Sequence, residues 1–241
     1  MMEFTQRNNT GREWTTETLA KTIGWGLIIM GVLAFVAEFK VRTQMINWED
    51  PVATFRTIQD SLPLFRWGIL SWLGVVFLDV VIALALLTLL YRVNKTSALL
   101  MGSLRLIYAT IKGASLVGLF LAHDIYATAT DETMAEQAQQ YLRWHHHGFN
   151  VALFFFGLHL VFLAVLLFKA RLTPKLINGL LLVGGVGYSV NSIVPLVAGD
   201  VEIVQQVVIA VFILPMSVAE LTLGGWLLAK RKKLAAAPVL A

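Results

Sequence analysis

The sequence predicts an all-α polytopic membrane protein, a bundle of six transmembrane helices with short inner loops and two longer outer loops. Composition is the first observation behind this prediction: 57% of the 241 residues are hydrophobic and only 14% are charged, whereas soluble domains average about 25% charged residues. The distribution of the apolar residues along the chain is the second. The apolar residues are gathered into six stretches, each close to the roughly 20 residues that a helix needs to cross a bilayer.

The same composition excludes several classes of protein. A mean hydropathy of +0.72 rules out a soluble enzyme, a disordered chain, a coiled coil and a nucleic-acid-binding domain. The sequence pI of 9.4 would suggest nucleic acid in a soluble chain, but basic residues in a membrane protein set its orientation. The chain has no cysteine, which excludes disulfides, thiolate catalysis and Cys-ligated metal sites.

Six predicted spans, each bounded by polar or basic residues, define the domain organisation. They cover Leu19–Phe39, Trp67–Leu90, Ser97–Ala122, Gly148–Phe168, Leu176–Ala198 and Ile203–Ala229. The chain therefore divides into a polar cytoplasmic segment over 1–18, a transmembrane domain over 19–229 and a basic cytoplasmic tail over 230–241. The first segment lacks the basic start and the small-residue cleavage site of a signal peptide, so the first span is interpreted as a retained helix.

Two long loops are predicted on the outer side of the membrane, each with a short amphipathic helix. The loop over 41–66 has Pro51 and Pro63 on either side of an amphipathic segment. The loop over 123–147 has Asp131 in N-cap position before the helix-forming run Thr133–Tyr141. The inner connections, Tyr91–Thr96 and Lys169–Lys175, are short. The difference between long outer loops and short inner connections predicts three helical hairpins, with the additional short helices on the outer face.

The lysines and arginines predict that both termini are cytoplasmic. Twelve of the nineteen lie on the side that carries the termini, five lie on the other side, and two lie inside a span. Loops rich in Lys and Arg stay on the cytoplasmic side of a bacterial inner membrane. The predicted location is therefore the inner membrane, with the bilayer itself as the chain's first partner.

Several short stretches match a known family in their order and spacing. They are Ala37-Glu38-Phe39, Phe65-Arg66, Leu78-Asp79-Val80, Leu104-Arg105-Leu106, Phe156-Gly157-Leu158-His159, Gly187-Tyr188 and Glu220-Leu221. From about Lys21 to Lys230, the chain resembles the bacterial membrane family named domain of unknown function 4386. The resemblance implies a six-span bacterial inner-membrane protein, and the family carries no established activity.

Ionisable residues inside the predicted spans are the main candidates for function. Such residues are costly in a bilayer and usually mark a site or an internal pair. At ~1.5 Å per residue, four of them lie about 12–16 Å from the cytoplasmic end of their spans: Asp79, Arg105, His159 and Glu220. Three further polar residues lie at roughly 18–23 Å: Lys112, Tyr188 and Asn191. These seven residues are the predicted ligand-binding or charged layer.

Arg105 leads to a specific structural expectation. Its guanidinium is always protonated, so at this depth it needs an acid from another helix. We predict that Arg105 bonds Asp79 or Glu220, with His159 beside the same space. Within the third span, Arg105, Tyr108, Lys112 and Ser115 form one helical stripe that should face the bundle interior.

Three functions are compatible with this layer. The leading interpretation is an intramembrane polar pocket that binds or transports a small solute or a lipid-like ligand. The second is an intramembrane enzyme, metal-dependent or not, that acts on a lipid-like substrate through His145, His159 and a carboxylate. The third is a structural membrane subunit whose charges only hold helices together. No nucleophile motif and no phosphate-binding loop occurs in the sequence.

Histidines near the outer face raise the question of a cofactor. Glu38 and His145 are the candidate metal ligands, because imidazole and carboxylate groups suit zinc, iron or manganese. His146 and His147 follow His145 directly, and consecutive residues of a helix point in different directions. Haem is not expected, since His145 and His159 have suitable spacing but no second span carries matching histidines.

Tryptophan and glycine positions give two further predictions about packing. Most tryptophans fall near span ends and predict an interfacial aromatic belt: Trp25, Trp48, Trp67, Trp72, Trp144 and Trp226. Glycines in the fifth span, including Gly185 and Gly187, allow a neighbouring helix to approach closely.

Overall fold

The computed structural model of the protein describes residues 14–197 and 202–236, and all regular structure in these ranges is helical. The elements are α1 (Thr16–Phe35), a π-helical segment (Val36–Arg42), α2 (Thr43–Met45), α3 (Pro51–Asp60), α4 (Leu62–Leu90), α5 (Lys95–Thr128), a 3-10 turn (Glu132–Met134), α6 (Ala135–Ala170), α7 (Lys175–Val197) and α8 (Glu202–Ala235). The predicted all-α fold class is confirmed.

Six long helices form a closed ring. Each one packs on the next in the order α1, α4, α5, α6, α7 and α8, and α8 packs back on α1. The outside of the ring is apolar, since Phe77 and Trp67 are more than 60% exposed. The inside holds buried side chains from every neighbour, including charged ones. A ring of this kind encloses its polar groups and presents an apolar surface to lipid.

Five helical stretches in the described ranges are long and apolar enough to cross a membrane: Thr16–Met45, Leu62–Leu90, Lys95–Thr128, Glu132–Ala170 and Lys175–Val194. They correspond to the first five predicted spans. The sixth predicted span lies in α8, where many side chains are outside the described residues. The count of six spans therefore stays a prediction, as does the conformation of residues 1–13 and 237–241 in the predicted terminal segments.

Element boundaries differ from the predicted ones at three places. The first helix begins at Thr16, three residues before the expected start, because Thr15 caps it by accepting a hydrogen bond from the Thr18 amide. The last helix continues through Ala235 into the predicted basic tail. The helix expected in the second outer loop is not a separate element. It is the first part of α6, which runs without interruption from Ala135 to Ala170.

Two aspartate N-caps, of which Asp131 was predicted, explain where the loop helices begin. Asp50 accepts a hydrogen bond from the Ala53 amide at 2.9 Å, and Pro51 occupies the first turn of α3. Asp131 accepts from the Thr133 amide at 3.0 Å, as expected for the N-cap position. A hydrogen bond from the Thr133 hydroxyl, together with the one from the Thr133 amide, holds the pKa of the Asp131 carboxyl below its ordinary value. Both caps lie at the α3 end of the ring.

A cap of polar contacts fixes α3 across this end of the ring. The Gln139 side chain donates to the Asn47 carbonyl at 3.0 Å, and Gln59 donates to the Ala129 carbonyl at 2.9 Å. Arg56 of α3 forms an ion pair with Glu132. The cap therefore ties the segment after α1 to both α5 and α6 at the α3 end of the ring.

The tryptophans do not all lie in the predicted aromatic belt. Trp25, Trp67 and Trp144 are more than half exposed, as the predicted aromatic belt requires. Trp72 does not belong to that belt, because it is buried inside the ring. It lies seven residues before Asp79 on α4, and two turns of a helix return to the same face. Trp72 therefore lies on the same face of α4 as Asp79, and this face is directed to the ring interior.

Candidate functional site

Four helices bring charged side chains to one place inside the ring. Asp79 comes from α4, Arg105 and Lys112 from α5, His159 from α6 and Glu220 from α8. Asp79, Arg105 and His159 are completely buried, Lys112 is 1% exposed, and the Glu220 side chain is 16% exposed. We call these five residues the Arg105 cluster. They are the acidic, basic and histidine residues of the predicted layer.

Every N–H donor of Arg105 has a partner, which is the full set of five that a guanidinium offers. Nε and Nη2 donate to Asp79 Oδ1 at 3.1 and 2.8 Å. Nη1 donates to Glu220 Oε1 at 2.6 Å and lies 3.1 Å from His159 Nε2. The last donor, on Nη2, faces Met30 Sδ at 3.6 Å. The expected contact of Arg105 with an acid from another helix is present, and Arg105 connects five helices.

The contacts of His159 fix its tautomer. Arg105 carries only donors, so His159 Nε2 must accept from it and cannot itself carry a proton. His159 Nδ1 then carries the ring proton and donates to the Met101 carbonyl at 2.9 Å. His159 is therefore a neutral imidazole whose two nitrogens are both used. This part of the cluster has no free hydrogen-bonding capacity on the arginine or the histidine.

Lys112 lies in a different kind of environment. Its Nζ donates to the Tyr108 hydroxyl at 2.8 Å. It lies 4.4 Å from the centre of the Trp72 ring and 5.2 Å from that of Phe149. Aromatic faces stabilise an ammonium through cation–π attraction but accept no conventional hydrogen bond from it. Only one of the three N–H donors of Lys112 has a hydrogen-bond acceptor among the described residues.

Asp79 connects the two environments. Its Oδ1 accepts both hydrogen bonds from Arg105, while its Oδ2 has no hydrogen-bond partner in the described ranges. Oδ2 lies 3.9 Å from Lys112 Nζ, which is an ion-pair distance but too long for a direct hydrogen bond. A buried carboxylate oxygen is rarely left unbonded. The Asp79–Lys112 pair is therefore the unsaturated part of the cluster.

Phe156 packs against both Tyr188 and the Arg105 cluster. The ring of Phe156 stacks on His159, and its centre lies 5.5 Å from the Arg105 guanidinium carbon. Tyr188 meets the same ring edge-on at 5.1 Å, so Phe156 contacts both Tyr188 and His159. Asn191 follows Tyr188 on α7 and is half-buried. Within the described residues it forms no hydrogen bond to the Arg105 cluster.

A narrow cleft approaches Lys112 from the α3 end of the ring. Its volume is about 20 Å³, which is enough for a water molecule and far below the roughly 300 Å³ of small-molecule pockets. Trp72 and His145 line the cleft, and both also border the surroundings of Lys112. None of the seven residues of the predicted layer lines this cleft, so the expected polar pocket stays a prediction.

His145 is bonded to the same helix as Lys112. Ser115 Oγ donates its single hydrogen to the Lys112 carbonyl at 2.7 Å, so toward His145 Nδ1, 3.1 Å away, it must accept. His145 therefore carries its proton on Nδ1, and Nε2 keeps its lone pair. His145 lines the cleft and at the same time is hydrogen-bonded to α5.

The two candidate metal ligands are not brought together as a metal site. Glu38 lies in the π-helical segment and forms an ion pair with Arg42 of the same segment. His145 is bonded to Ser115. In the part of the chain that the structure describes, no group of three or more histidines and carboxylates has an arrangement that could hold a metal ion.

Sequence reasoning named the charges but missed most of the side chains around them. Phe149 and Phe156 look like ordinary apolar residues of a span, and Met30 carries no signal at all. Trp72 could have been found, because it shares a helix face with Asp79. The polar stripe of α5 was found: Arg105, Tyr108, Lys112 and Ser115 are all buried in the ring.

Fold and site together define a class: a multi-pass helical membrane protein with a charged cluster enclosed by its helices. The chain belongs to the family described as domain of unknown function (DUF4386), which matches residues 22–230. An uncharacterised protein of Archaeoglobus fulgidus is 28% identical over 129 residues, which are 54% of this chain and 67% of the archaeal protein. No solved structure matches the chain.

Proposed function

We propose that the protein binds a small solute or a lipid head group that carries an anionic group, and that it carries this ligand across the inner membrane. The binding site is the Asp79–Lys112 pair beneath Trp72, Tyr108 and Phe149. One observation carries the proposal. Lys112 is a buried ammonium with two N–H donors that no described residue accepts, and a carboxylate or phosphate is the group that such donors bind.

The contrast within the cluster supports binding over a purely structural role. Arg105 and His159 have every donor and acceptor used, as expected for groups that hold helices together. Lys112 and Asp79 Oδ2 do not, although unsatisfied buried polar atoms are costly. Incomplete bonding next to a cleft is typical of a binding site, so we assign the structural role to Arg105 and the binding role to Lys112.

The enzyme alternative has less support. Its proposed residues were His145 and His159 with a carboxylate. His159 is neutral with both nitrogens bonded, and it lies in the saturated part of the cluster. His145 is bonded to Ser115 on the side of the cleft. No described contact joins these two histidines to one reacting position, so binding and transport remain the stronger proposal.

Thermal unfolding of the protein in nanodiscs tests this function. A ligand at 100 times its Kd stabilises the folded state by about 2.7 kcal/mol. We expect at least one of phosphate, glycerol phosphate, lactate and glutamate to raise Tm. If the ligand is a lipid head group, Tm should instead be higher in nanodiscs of phosphatidylglycerol than in nanodiscs of phosphatidylcholine. Lys112→Met should abolish the shift, while Lys175→Met, at an exposed position, should keep it. Failure of every anion and of phosphatidylglycerol to stabilise the protein would overturn the proposal.

The proposed orientation places the α3 end, with its cleft, on the outer side of the membrane. The distribution of Lys and Arg supports this direction. Because the chain has no cysteine, single cysteines report their own position. In intact cells, an impermeant thiol reagent should label Thr133→Cys and should not label Asn94→Cys or Lys175→Cys, three exposed positions. Labelling of the last two with protection of the first would reverse the orientation.

A further inference from the structure

The charges of the Arg105 cluster balance when all of them are ionised. Arg105 and Lys112 contribute two positive charges, and Asp79 and Glu220 contribute two negative ones. Glu38 is paired separately with Arg42. An anionic ligand that enters a cluster of zero net charge gains little attraction, and it leaves an uncompensated negative charge in a low-dielectric interior. Binding of an anion therefore requires a compensating positive charge.

Asp79 Oδ2 is the position where that charge can be added. It is buried, it has no hydrogen-bond partner among the described residues, and it faces Lys112 Nζ at 3.9 Å. A proton on Oδ2 removes the negative charge that neutralises Lys112, while Arg105 keeps its contact with Glu220. The net charge of the cluster becomes +1, and Lys112 becomes free to pair with the ligand's anionic group.

We propose that the protein binds its anionic ligand together with one proton, that the proton is held on Asp79 Oδ2, and that it arrives through the cleft between Trp72 and His145. This inference rests on the proposed function, since the anion is the ligand of Lys112. The O–H bond on Asp79 forms as an O–H bond of a hydronium ion from the solvent at the α3 end breaks, and the neutral water that remains stays in that solvent. Proton and anion together keep the occupied cluster neutral.

The route from the cleft to Asp79 is short, and the Trp72 side chain closes it. The cleft has room for a water molecule, and His145 borders it with an unprotonated Nε2. Trp72 separates the cleft from Lys112, with its ring centre 4.4 Å from Nζ. Chains of acidic and histidine residues of this kind carry protons in membrane transporters. Trp72 is then the side chain whose movement opens the way from the cleft to Lys112.

Titratable groups from five helical elements surround the Asp79–Lys112 pair, and the test must separate their contributions from that of Asp79. They are Glu38 of the π-helical segment, Arg105, Tyr108 and Lys112 of α5, His159 of α6, Tyr188 of α7 and Glu220 of α8. Glu220 is the competing proton acceptor, since it is the other carboxylate in contact with Arg105. Because Arg105 donates to both carboxylates, its contacts do not separate them, and the Asp79 variants below decide between the two.

Infrared difference spectroscopy tests the proton site directly, because a protonated carboxyl group has a C=O stretch distinct from that of a carboxylate. Acidification of the protein in nanodiscs from about pH 8 to about pH 5 should produce this band in the protein and in Asp131→Asn. The band should be weaker, by the contribution of one carboxyl group, in Asp79→Asn and in the charge-balanced double variant Asp79→Asn/Lys112→Met, which covers the case that the single variant does not fold. A band of unchanged intensity in both variants would overturn the inference.

Anion binding tests the coupling. If one proton binds with the anion, the apparent affinity for the anion that raises Tm should increase by up to about tenfold for each unit of pH decrease. Asp79→Asn mimics the protonated carboxyl group, so it should bind the same anion equally well at both ends of the pH range. An affinity that does not change with pH in the unmodified protein overturns the coupling but leaves anion binding intact. If the infrared band depends on Asp79 but no anion binds, the proposed function is overturned, while protonation of Asp79 stands.

Discussion

Replacing Arg105 with leucine should sharply reduce the yield of folded protein. The substitution removes all five contacts of the guanidinium and leaves Asp79 and Glu220 as buried carboxylates with only Lys112 to balance them. Loss of one partner of a buried ion pair typically costs about 3–5 kcal/mol, because the remaining charge is not compensated. The monodisperse fraction in size-exclusion chromatography and the Tm in nanodiscs measure the effect.

A second substitution shows whether charge balance causes the loss. Arg105→Leu combined with Asp79→Asn leaves one negative and one positive charge in the cluster, and it should recover part of the folded yield. Arg92→Leu is the matched control, because Arg92 is an exposed arginine in the short loop after α4. If Arg105→Leu behaved like Arg92→Leu, Arg105 would not be the centre of a buried ion-pair network.

Gly157→Val should be the second strongly destabilising substitution. Gly157 lies where α6 crosses α7, and a side-chain carbon there would overlap the Gly185 carbonyl oxygen and Ser189. Gly185 has the reciprocal restriction, since its Cβ would lie 2.7 Å from the Gly157 carbonyl oxygen. Overpacking costs about 1–3 kcal/mol in a well-packed core, and backbone atoms can yield less than side chains. The Tm in nanodiscs should fall accordingly.

Gly179→Val is the control for this crossing. Gly179 also lies in α7, but nothing is within 4 Å of an added Cβ at that position. The two variants share the helix-propensity cost of valine, so the difference between their Tm values isolates the contact between α6 and α7. Equal Tm values would contradict the close approach of these helices. The crossing matters for the site because His159 is two residues from Gly157 on α6.

The fold and the charged residues of the site were largely predictable from the sequence. Long apolar stretches predict the helices, since a spanning segment must satisfy its backbone internally. Arg105 requires an acid from another helix, and Asp79 and Glu220 are the carboxylates that its depth allows. The expected contact followed from these two constraints. Neither constraint depends on details of side-chain packing.

The rest depended on packing that sequence patterns do not record. The roles of Phe149 and Phe156 depend on which helices are neighbours in the ring, and apolar residues are too common in a span to be distinguished. The continuation of α6 through the predicted outer loop was missed because polar residues were assigned to a separate helix, although nothing breaks the helix between them. Interatomic distances are needed to recognise that every N–H donor of Arg105 has an acceptor and that those of Lys112 do not.

A density map of the protein in lipid nanodiscs tests the central claim most directly. The account predicts that Arg105 lies inside the ring within hydrogen-bond distance of both Asp79 and Glu220, with Lys112 facing the free oxygen of Asp79 beneath Trp72. A map in which Arg105 points to lipid, or extends to the membrane surface with no acid within hydrogen-bond distance, would contradict the charged cluster and the function proposed for it.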